Sequence, residues 1–546
     1  MLNPDRDNCF TRLVEFKHRR IFVDKTDFIE KIADRIDSSE RYISVSIPRR
    51  FEKSVISHML STYFSKGYDS RDIFDGLKIS KSQNYGRNQN KHNVIYVDML
   101  SVMAIYHTPV RIKGIHDFVN FLEYVIIEEL KDNESYAELI KDNPEAGTKL
   151  LSVLNLICSK TKEKFIFFLN DCDLLYHDCR KDTKLHDHFW EFLRELFNSK
   201  ESMNCFSLVY LTGILPIRKY GSKSALDSFS EYTMFNPEPY EEYFGFTDKE
   251  VDEIAKLPYC KLTINELRRM YEGYRLNNSI IYNPNSIVDA VDRNHCECYW
   301  MGTCSNEEVS ILINKDFDGI KEDFLRLIEW QKIAFNLSTF QNDMDSINNR
   351  DDVFSLLVCL GYLGCISADD SDKNKKYAYV PNREINGVLM AIARYQPWYK
   401  SMKRIQRSES LFNAIMNLDT STTSQLIGEI RKVAASECPE YSDEKLIEYV
   451  MASLRWSTWY DYSCKIESLD DNNDSHLVYK PIIISRRTPL IFVGFTFSGV
   501  AEDAFSQIKK HDELKNYKEE YWNVILVGIN YDPKTKDHQC LIEKLD

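Results

Sequence analysis

The chain has 546 residues, long enough for several domains, each with its own core. Its 70 Lys and Arg are outnumbered by 84 Asp and Glu, a formal charge of −14, which argues against avid non-specific binding to nucleic acid but leaves room for a local basic cleft. The 14 Cys are scattered without a regular disulfide spacing, several of them (Cys205, Cys359, Cys365) inside apolar runs. Reduced thiols in a cytoplasmic or nuclear protein fit that usage. No apolar signal region opens the chain and no apolar run reaches membrane-spanning length, so the expectation is an intracellular protein without a membrane partner.

Residues 1–40 read as a lead-in, with Phe22 to Thr26 capping an amphipathic helix from Asp27 to Ile36. An apolar strand, Tyr42 to Ile47, then turns through Pro48-Arg49-Arg50-Phe51-Glu52 into Lys53-Ser54 and a helix with apolar Val55, Ile56, Met59 and Leu60. Strand, turn, Lys-Ser, helix is the layout of a phosphate-binding loop, in which backbone N–H groups cradle phosphates, Lys reaches the β/γ oxygens and Ser holds magnesium. Both glycines of that pattern are missing: Ile47 stands at the first position and Glu52 at the second. Glycine serves there because phosphate must approach the backbone closely. Glu52 adds a side chain and a like charge, a repulsion of about 1 kcal/mol at ~4 Å in water and about 4 kcal/mol at an effective dielectric near 20. An ordinary strand-to-helix turn bearing a basic patch accounts for the same pattern.

Further along, Asn93 to Asp98 is a buried strand ending in an acid, and helices follow at Phe118–Lys131, Tyr136–Ile140 and Gly147–Lys160. Lys164 to Leu169 is a second continuous apolar strand, capped by Asn170-Asp171-Cys172-Asp173. A helix, Phe189 to Asn198, leads to the strand Ser207–Leu211, which ends in Thr212-Gly213. Apolar strands alternating with helices predict a parallel α/β sheet covered on both faces, with ligands at the carboxyl ends of its strands. The acid that organises magnesium in such an ATPase belongs at the position of Asn170, and the water-polarising Glu at Asp171.

The segments PRRFEKS, NVIYVDM, FFLNDCD, LTGILPIRKYGSKSAL, EEYFGFTDKEV, YEGYRL, YNPNSIV, LGYLG and VPNREI, in that order, resemble the AAA-ATPase-like family. In that family a P-loop ATPase module is joined to a C-terminal PD-(D/E)xK nuclease-like domain. The family reads RPRRFGKS and IDEWD or IDEYD where this chain reads IPRRFEKS and LNDCD. Lys53, Ser54 and Asp173 match; Glu52, Asn170 and Asp171 depart. The resemblance implies a residual nucleotide site of Arg49, Arg50, Lys53, Ser54 and Asp173, holding ATP or GTP with magnesium weakly.

Residues 237–300 are expected to be mostly helix, with Tyr271 to Tyr274 as a turn and core roles for Tyr243, Phe244, Phe246, Tyr271 and Tyr274. His295, Cys296, Cys298 and Cys304 lack the paired spacing of a zinc site. A helix at Phe354–Leu360, a hairpin of Leu363–Ile366 with Tyr377–Val380, and a helix from Pro381-Asn382 resemble a winged-helix-like module, its wing being Asp369 to Lys376.

Linking helices occupy 401–455. Strands at Trp456–Ile466, His476–Tyr479 and Leu490–Phe497, a helix Ala501–Leu514 and a strand Val524–Ile529 then give the order of a nuclease-like core. Such nucleases use an Asp and an acid-x-Lys to hold magnesium and activate water. The resemblance places those groups at His476, Gly494 and Thr496, so all three are lost. Asp474 lies two residues from His476 without a nearby Lys, while Gln507, Gly528 and Tyr531 keep the family framework.

The expected architecture is therefore α/β: an AAA-ATPase-like P-loop domain at 1–236, a helical and winged-helix-like region at 237–455, and a degenerate nuclease-like α/β domain at 456–546. The expected function is that of a pseudo-ATPase and pseudo-nuclease, a non-enzymatic binding or regulatory factor whose partner is a protein, a nucleic acid or a ribonucleoprotein. A nucleotide-binding switch and an active ATP-dependent nucleic-acid-processing enzyme are the competing readings.

Overall fold

The computed structural model describes residues 6–545 except 67–68, 108–116, 148, 176–181, 201, 218–225, 227, 301–305, 341–346, 369–371, 395, 397, 438–441, 443–445, 459–461, 469–474, 483–487, 497–499, 512, 533–534 and 536. It divides into two compact units, one of residues 1–320 and 332–388, the other of 321–331 and 389–546. Among the described residues no helix is long and apolar enough to cross a membrane.

The first unit is built on a five-stranded sheet of β1 (Tyr42–Ser46), β2 (Asn93–Asp98), β3 (Phe165–Asn170), β4 (Phe206–Gly213) and β5 (Ser230–Thr233). Their order is β2-β3-β4-β1-β5 and every pairing is parallel, an α/β arrangement consistent with a P-loop ATPase fold. Because both faces are covered, β1, β3 and β4 are buried at every position. One face packs Phe165, Phe167, Leu169, Val209 and Leu211 against the helices Phe118–Leu130, Leu150–Thr161 and Thr183–Asn198. On the other face Tyr96, Phe168 and Tyr210 form a ladder of rings, and His58 of the helix Lys53–Phe64 lies against Tyr96.

The expectation of mostly helix over 237–300 is corrected. Helices Asp248–Ala255, Ile264–Tyr271 and Pro284–Arg293 are present, but so is an antiparallel sheet of β6 (Phe246–Thr247), β7 (Tyr274–Leu276) and β8 (Ser279–Tyr282), ordered β6-β8-β7. Tyr274 thus opens a strand. The hairpin turns at Asn277, whose φ of 53° is the left-handed conformation Asn tolerates best after Gly. Strands of two to four residues are too short to show a period. The later hairpin forms as β10 (Gly364–Ser367) with β11 (Lys375–Tyr379), joined by an additional strand, β9 (Ile333–Asn336). Part of its wing, 369–371, lies outside the described residues.

The second unit carries helices Tyr399–Met416, Thr420–Glu437 and Leu446–Thr458, and a sheet of β12 (Tyr462–Ser468), β13 (Ser475–Pro481), β14 (Leu490–Thr496), β15 (Val524–Asp532) and β16 (Asp537–Leu545). The strands lie in chain order; only β14 and β15 are parallel, joined through the helix Ala501–Lys510. Three differences from expectation stand out, the first being that Trp456–Thr458, expected in a strand, close the helix Leu446–Thr458. The helix starting at Ala501 stops at Lys510 and a second runs Glu513–Glu520, and the edge strand β16 extends the sheet beyond Ile529. Leu477, Tyr479, Ile491 and Val493 face the three long helices, whereas Val478, Leu490 and Phe492 face the helix pair 501–520.

Candidate functional site

The turn between β1 and the helix Lys53–Phe64 keeps the backbone of a phosphate loop without its glycines. Arg50 and Glu52 both adopt positive φ, 67° and 63°, while Phe51 between them does not. Such alternation turns successive N–H groups toward one side, the geometry of an anion-binding nest. Non-glycine residues in that region are strained by about 1–2 kcal/mol each, so packing must hold them. The packing is supplied from behind the loop, by glycines of other segments. A Cβ on Gly361 would come within 2.9 Å of Pro48, and one on Gly245 within 3.0 Å of the Phe51 ring. Phe51 is fully buried edge-on to Tyr274, at 5.1 Å, and the Tyr274 hydroxyl donates to Gly361 O at 2.7 Å. Arg50 donates to Tyr299 O at 3.1 Å, and Glu384 holds that segment by accepting from the N–H groups of Tyr299 and Trp300. Gly245 and Gly361 thus let neighbouring segments pack closely against Phe51 and Pro48.

Lys53 is buried and its ammonium donates to the loop's own carbonyls, Ile47 O at 2.7 Å and Pro48 O at 2.9 Å. Burial lowers its pKa, against the upward pull of Asp171 and Asp173. Beside it the ends of β3 and β4 bring together a chain of polar contacts. The Asp171 N–H donates to Thr212 Oγ1 at 3.2 Å, and the Thr212 hydroxyl donates to Asn170 Oδ1 at 2.7 Å. Asn170 Nδ2 in turn donates to Ser54 Oγ at 3.3 Å and to Asp171 Oδ2 at 3.2 Å. Asp171 itself sits at a positive φ of 54°, and burial raises its pKa while Lys53 lowers it. Arg49, exposed at the loop, faces Lys53 and Asp171 electrostatically.

Glu52 does not lie with this group. Burial pushes its carboxyl up to about 7, and the charges that act on it are Lys25, Glu250 and Arg19, on the side of the lead-in segment. Lys25 is buried and bonds the Glu250 carboxylate at 2.7 Å, which also caps the helix Asp248–Ala255. Asp173 Oδ2 accepts from the N–H groups of Ile214 and Leu215, both at 2.8 Å, bracing the segment after β4, and its charge also acts on Lys53. Lys53, Ser54, Asn170, Asp171 and Thr212 are therefore brought together; Asp173 supports them from inside the scaffold.

A cavity of about 530 Å³ opens over the loop, lined on one side by Arg50, Glu52, Lys53 and Ser54 and on the other by Arg19, Arg20, Asn285 and Asp292. Neither Arg19 nor Arg20 belongs to a recognisable pattern, and nothing local in the sequence marks them as cavity residues. Asn285, Gly245 and Gly361 do lie in segments, YNPNSIV, EEYFGF and LGYLG, that carry the family resemblance.

In the second unit His476, Gly494 and Thr496 are all buried, and His476 pairs with Gly494 across β13 and β14. The His476 ring sits edge-on to Phe492 and His511, at 5.5 and 5.6 Å, and neither ring nitrogen has a hydrogen-bond partner. Burial lowers its pKa to about 4. At Gly494 a Cβ would meet Ile508 at 2.6 Å, so this helix approaches too closely for an acidic side chain at that position. Asp474 lies outside the described residues. Among the described residues no group of three or more His, Cys, Asp or Glu is placed to hold a metal ion.

Comparison with known proteins adds to this geometry. Residues 10–222 match the family model of a predicted AAA-ATPase, described as AAA-ATPase-like. An uncharacterised protein from the vnfD 5′ region of Azotobacter chroococcum mcd 1 is 22% identical over 283 residues, 52% of this chain and 50% of that protein. The chain thus spans about half the length of the curated relative it matches. A Walker-type ATPase of Pyrococcus abyssi aligns with a TM-score of 0.34 and 12% identity, over 68% of this chain and 97% of that one. On the family match and the parallel sheet with its phosphate-loop turn, the N-terminal region of the chain is similar to the AAA-ATPase-like family.

Proposed function

We propose that this protein binds a nucleoside phosphate at the loop Ile47–Ser54 and turns it over poorly, acting as a non-enzymatic binding or regulatory factor. The observation that carries the reading is the state of the loop. Its backbone, Lys53, Ser54 and a cavity of about 530 Å³ are kept, while the acid that would organise magnesium is an amide, Asn170. Asp171, shorter than Glu by one methylene, occupies the water-polarising position, and such displacements reduce rates by orders of magnitude. Binding with slow hydrolysis suits a switch or a structural ligand better than a motor.

The same proposal extends to the C-terminal region. The order β12-β13-β14, helix Ala501–Lys510, β15 supports descent from a PD-(D/E)xK nuclease-like domain over 456–546, with an ATPase-like domain at 1–236 and a helical, winged-like region at 237–455 between them. His476, Gly494 and Thr496 hold no carboxylate, so the domain acts as a docking surface. Its partner is a protein, a nucleic acid or a ribonucleoprotein, inside the cell.

The test is calorimetric titration of ATP and GTP into the full chain, run beside Lys53→Ala, with phosphate release measured in parallel. Binding that Lys53→Ala abolishes, with turnover far below the ordinary ~1–10³ per second, is expected. Turnover within that range overturns the reading, as does cleavage of plasmid or single-stranded substrate in magnesium or manganese.

A further inference from the structure

We propose that the phosphate loop takes its nucleoside di- or triphosphate without a divalent cation, the counter-charge coming from protein side chains. This rests on the nucleotide-binding reading above and specifies the chemical form of the ligand. A P-loop ordinarily holds magnesium between its Ser or Thr hydroxyl and an acid on the neighbouring strand. Magnesium demands oxygen ligands at about 2.0–2.1 Å in near-octahedral geometry. The residues present do not fit that ion.

The argument turns on which way Asn170 faces, and the hydrogen-bond chain decides it. Thr212 Oγ1 already accepts from the Asp171 N–H at 3.2 Å, so its own proton is free to be donated. Among the described residues it is donated to Asn170 Oδ1, at 2.7 Å. Asn170 therefore turns its oxygen toward Thr212 and its NH2 group toward Ser54 Oγ and the Asp171 carboxylate. Flipping the amide would break the Thr212 bond and set Oδ1 against a carboxylate. At the place where an acid would draw a cation to Ser54, the structure thus presents two N–H donors. Both N–H groups are taken up by Ser54 Oγ and the Asp171 carboxylate, so the amide offers a cation at Ser54 no oxygen of its own. The cavity wall matches, because Arg19, Arg20, Arg50 and Lys53 line the same space, and Arg20 is held over the Tyr259 ring at 3.5 Å. The acids lining it, Glu52 and Asp292, are fewer than the bases.

The experiment is titration of ATP into the full chain in excess EDTA and again in excess magnesium chloride, for the unmodified protein and for Asn170→Asp. The unmodified protein should bind as tightly in EDTA as in magnesium, and Asn170→Asp should gain at least about tenfold from magnesium. Because that variant could fold poorly, a second measurement uses only the unmodified chain: water-proton relaxation in manganese, where the ATP-loaded protein should show no enhancement beyond manganese–ATP alone. Binding that requires magnesium, or a bound manganese signal, overturns the inference and leaves the nucleotide site standing. Failure to bind in either condition overturns the nucleotide site itself, and this inference with it.

Discussion

The phosphate loop and the C-terminal sheet both lack the residues that the family resemblance would place there, and they differ in the space around those positions. At the loop the charges changed and the space remained. Glu52 and Asn170 replace Gly and Asp, yet the backbone still alternates in φ and a cavity still opens over it. At β13 and β14 the space has gone as well, with Ile508 where an acid at 494 would project and the His476 ring among Phe492 and His511. A site that keeps its cavity can still be used by a ligand with different charge requirements. One filled by packing contributes stability instead, and restoring its chemistry means breaking a core.

That difference is broken or sharpened most strongly at Gly494. Gly494→Glu forces a Cβ to within 2.6 Å of Ile508 and buries a carboxylate against the apolar layer of Phe492 and Ile508. Overpacking and an unpaired buried charge together should destabilise the second unit by about 3–5 kcal/mol, read as a fall in the urea midpoint, with no cleavage activity gained. Adding Ile508→Ala should give a double variant more stable than the sum of the two single effects, because the clash is shared. Full stability with an acid at 494 would mean that the helix yields there and that the site is not closed.

At the loop the corresponding change should help. Glu52→Gly removes the strain of a positive φ, worth about 1 kcal/mol, and a carboxylate from the lining of the cavity over the loop. ATP affinity should rise about tenfold or more in mildly alkaline buffer, for a repulsion of order 1–4 kcal/mol. The carboxyl of Glu52 is pushed up to about 7 by burial, with Lys25 and Arg19 pulling it down and Glu250 up. Below that pH it carries a proton and repels nothing, so the advantage of Glu52→Gly should shrink as pH falls through 7. An advantage independent of pH would show that the side chain acts by its bulk rather than its charge.

How far the sequence foretold this depended on the length of the signal. β2 was legible to the residue because Asn93–Asp98 is a continuous apolar run closed by a capping acid. β3 and β4 were legible for the same reason, and with them the meeting of Asn170, Asp171 and Thr212 beside Ser54. β6, β7 and β8 were not, since two to four residues show no period. The direction of Glu52 was also beyond reach. Its surroundings depend on Lys25, on a lead-in segment nearly thirty residues earlier, and the bracing of Ile214 and Leu215 by Asp173 was not legible either. The glycines that support the loop, Gly245 and Gly361, lie hundreds of residues from it, so the loop alone reads as one that lacks them.

The smallest expected effect concerns His476, and its sign is opposite to that of Glu52. A carboxyl whose native pKa is raised, as at Glu52, contributes stability at low pH that is lost as pH rises through about 7. A histidine whose native pKa is lowered to about 4, as at His476, does the reverse. The unfolded chain takes up the proton near pH ~6.5 while the native ring stays neutral, so stability falls with acidification between those two values, at up to about 1.4 kcal/mol per pH unit. His476→Leu removes that titration, and it also removes two ring nitrogens that have no partner in a fully buried position. It should stabilise the second unit by about 1–2 kcal/mol near neutrality, and by more as the pH is lowered. The measurement is hydrogen exchange of the β13, β14 and β15 amides between about pH 7 and pH 5, corrected for intrinsic exchange, in the unmodified chain and the variant. Protection that declines on acidification only when His476 is present supports a packed, metal-free histidine. Loss of protection in His476→Leu at neutral pH would mean that the ring has a partner whose removal the sheet cannot tolerate, and that this region keeps a working site after all.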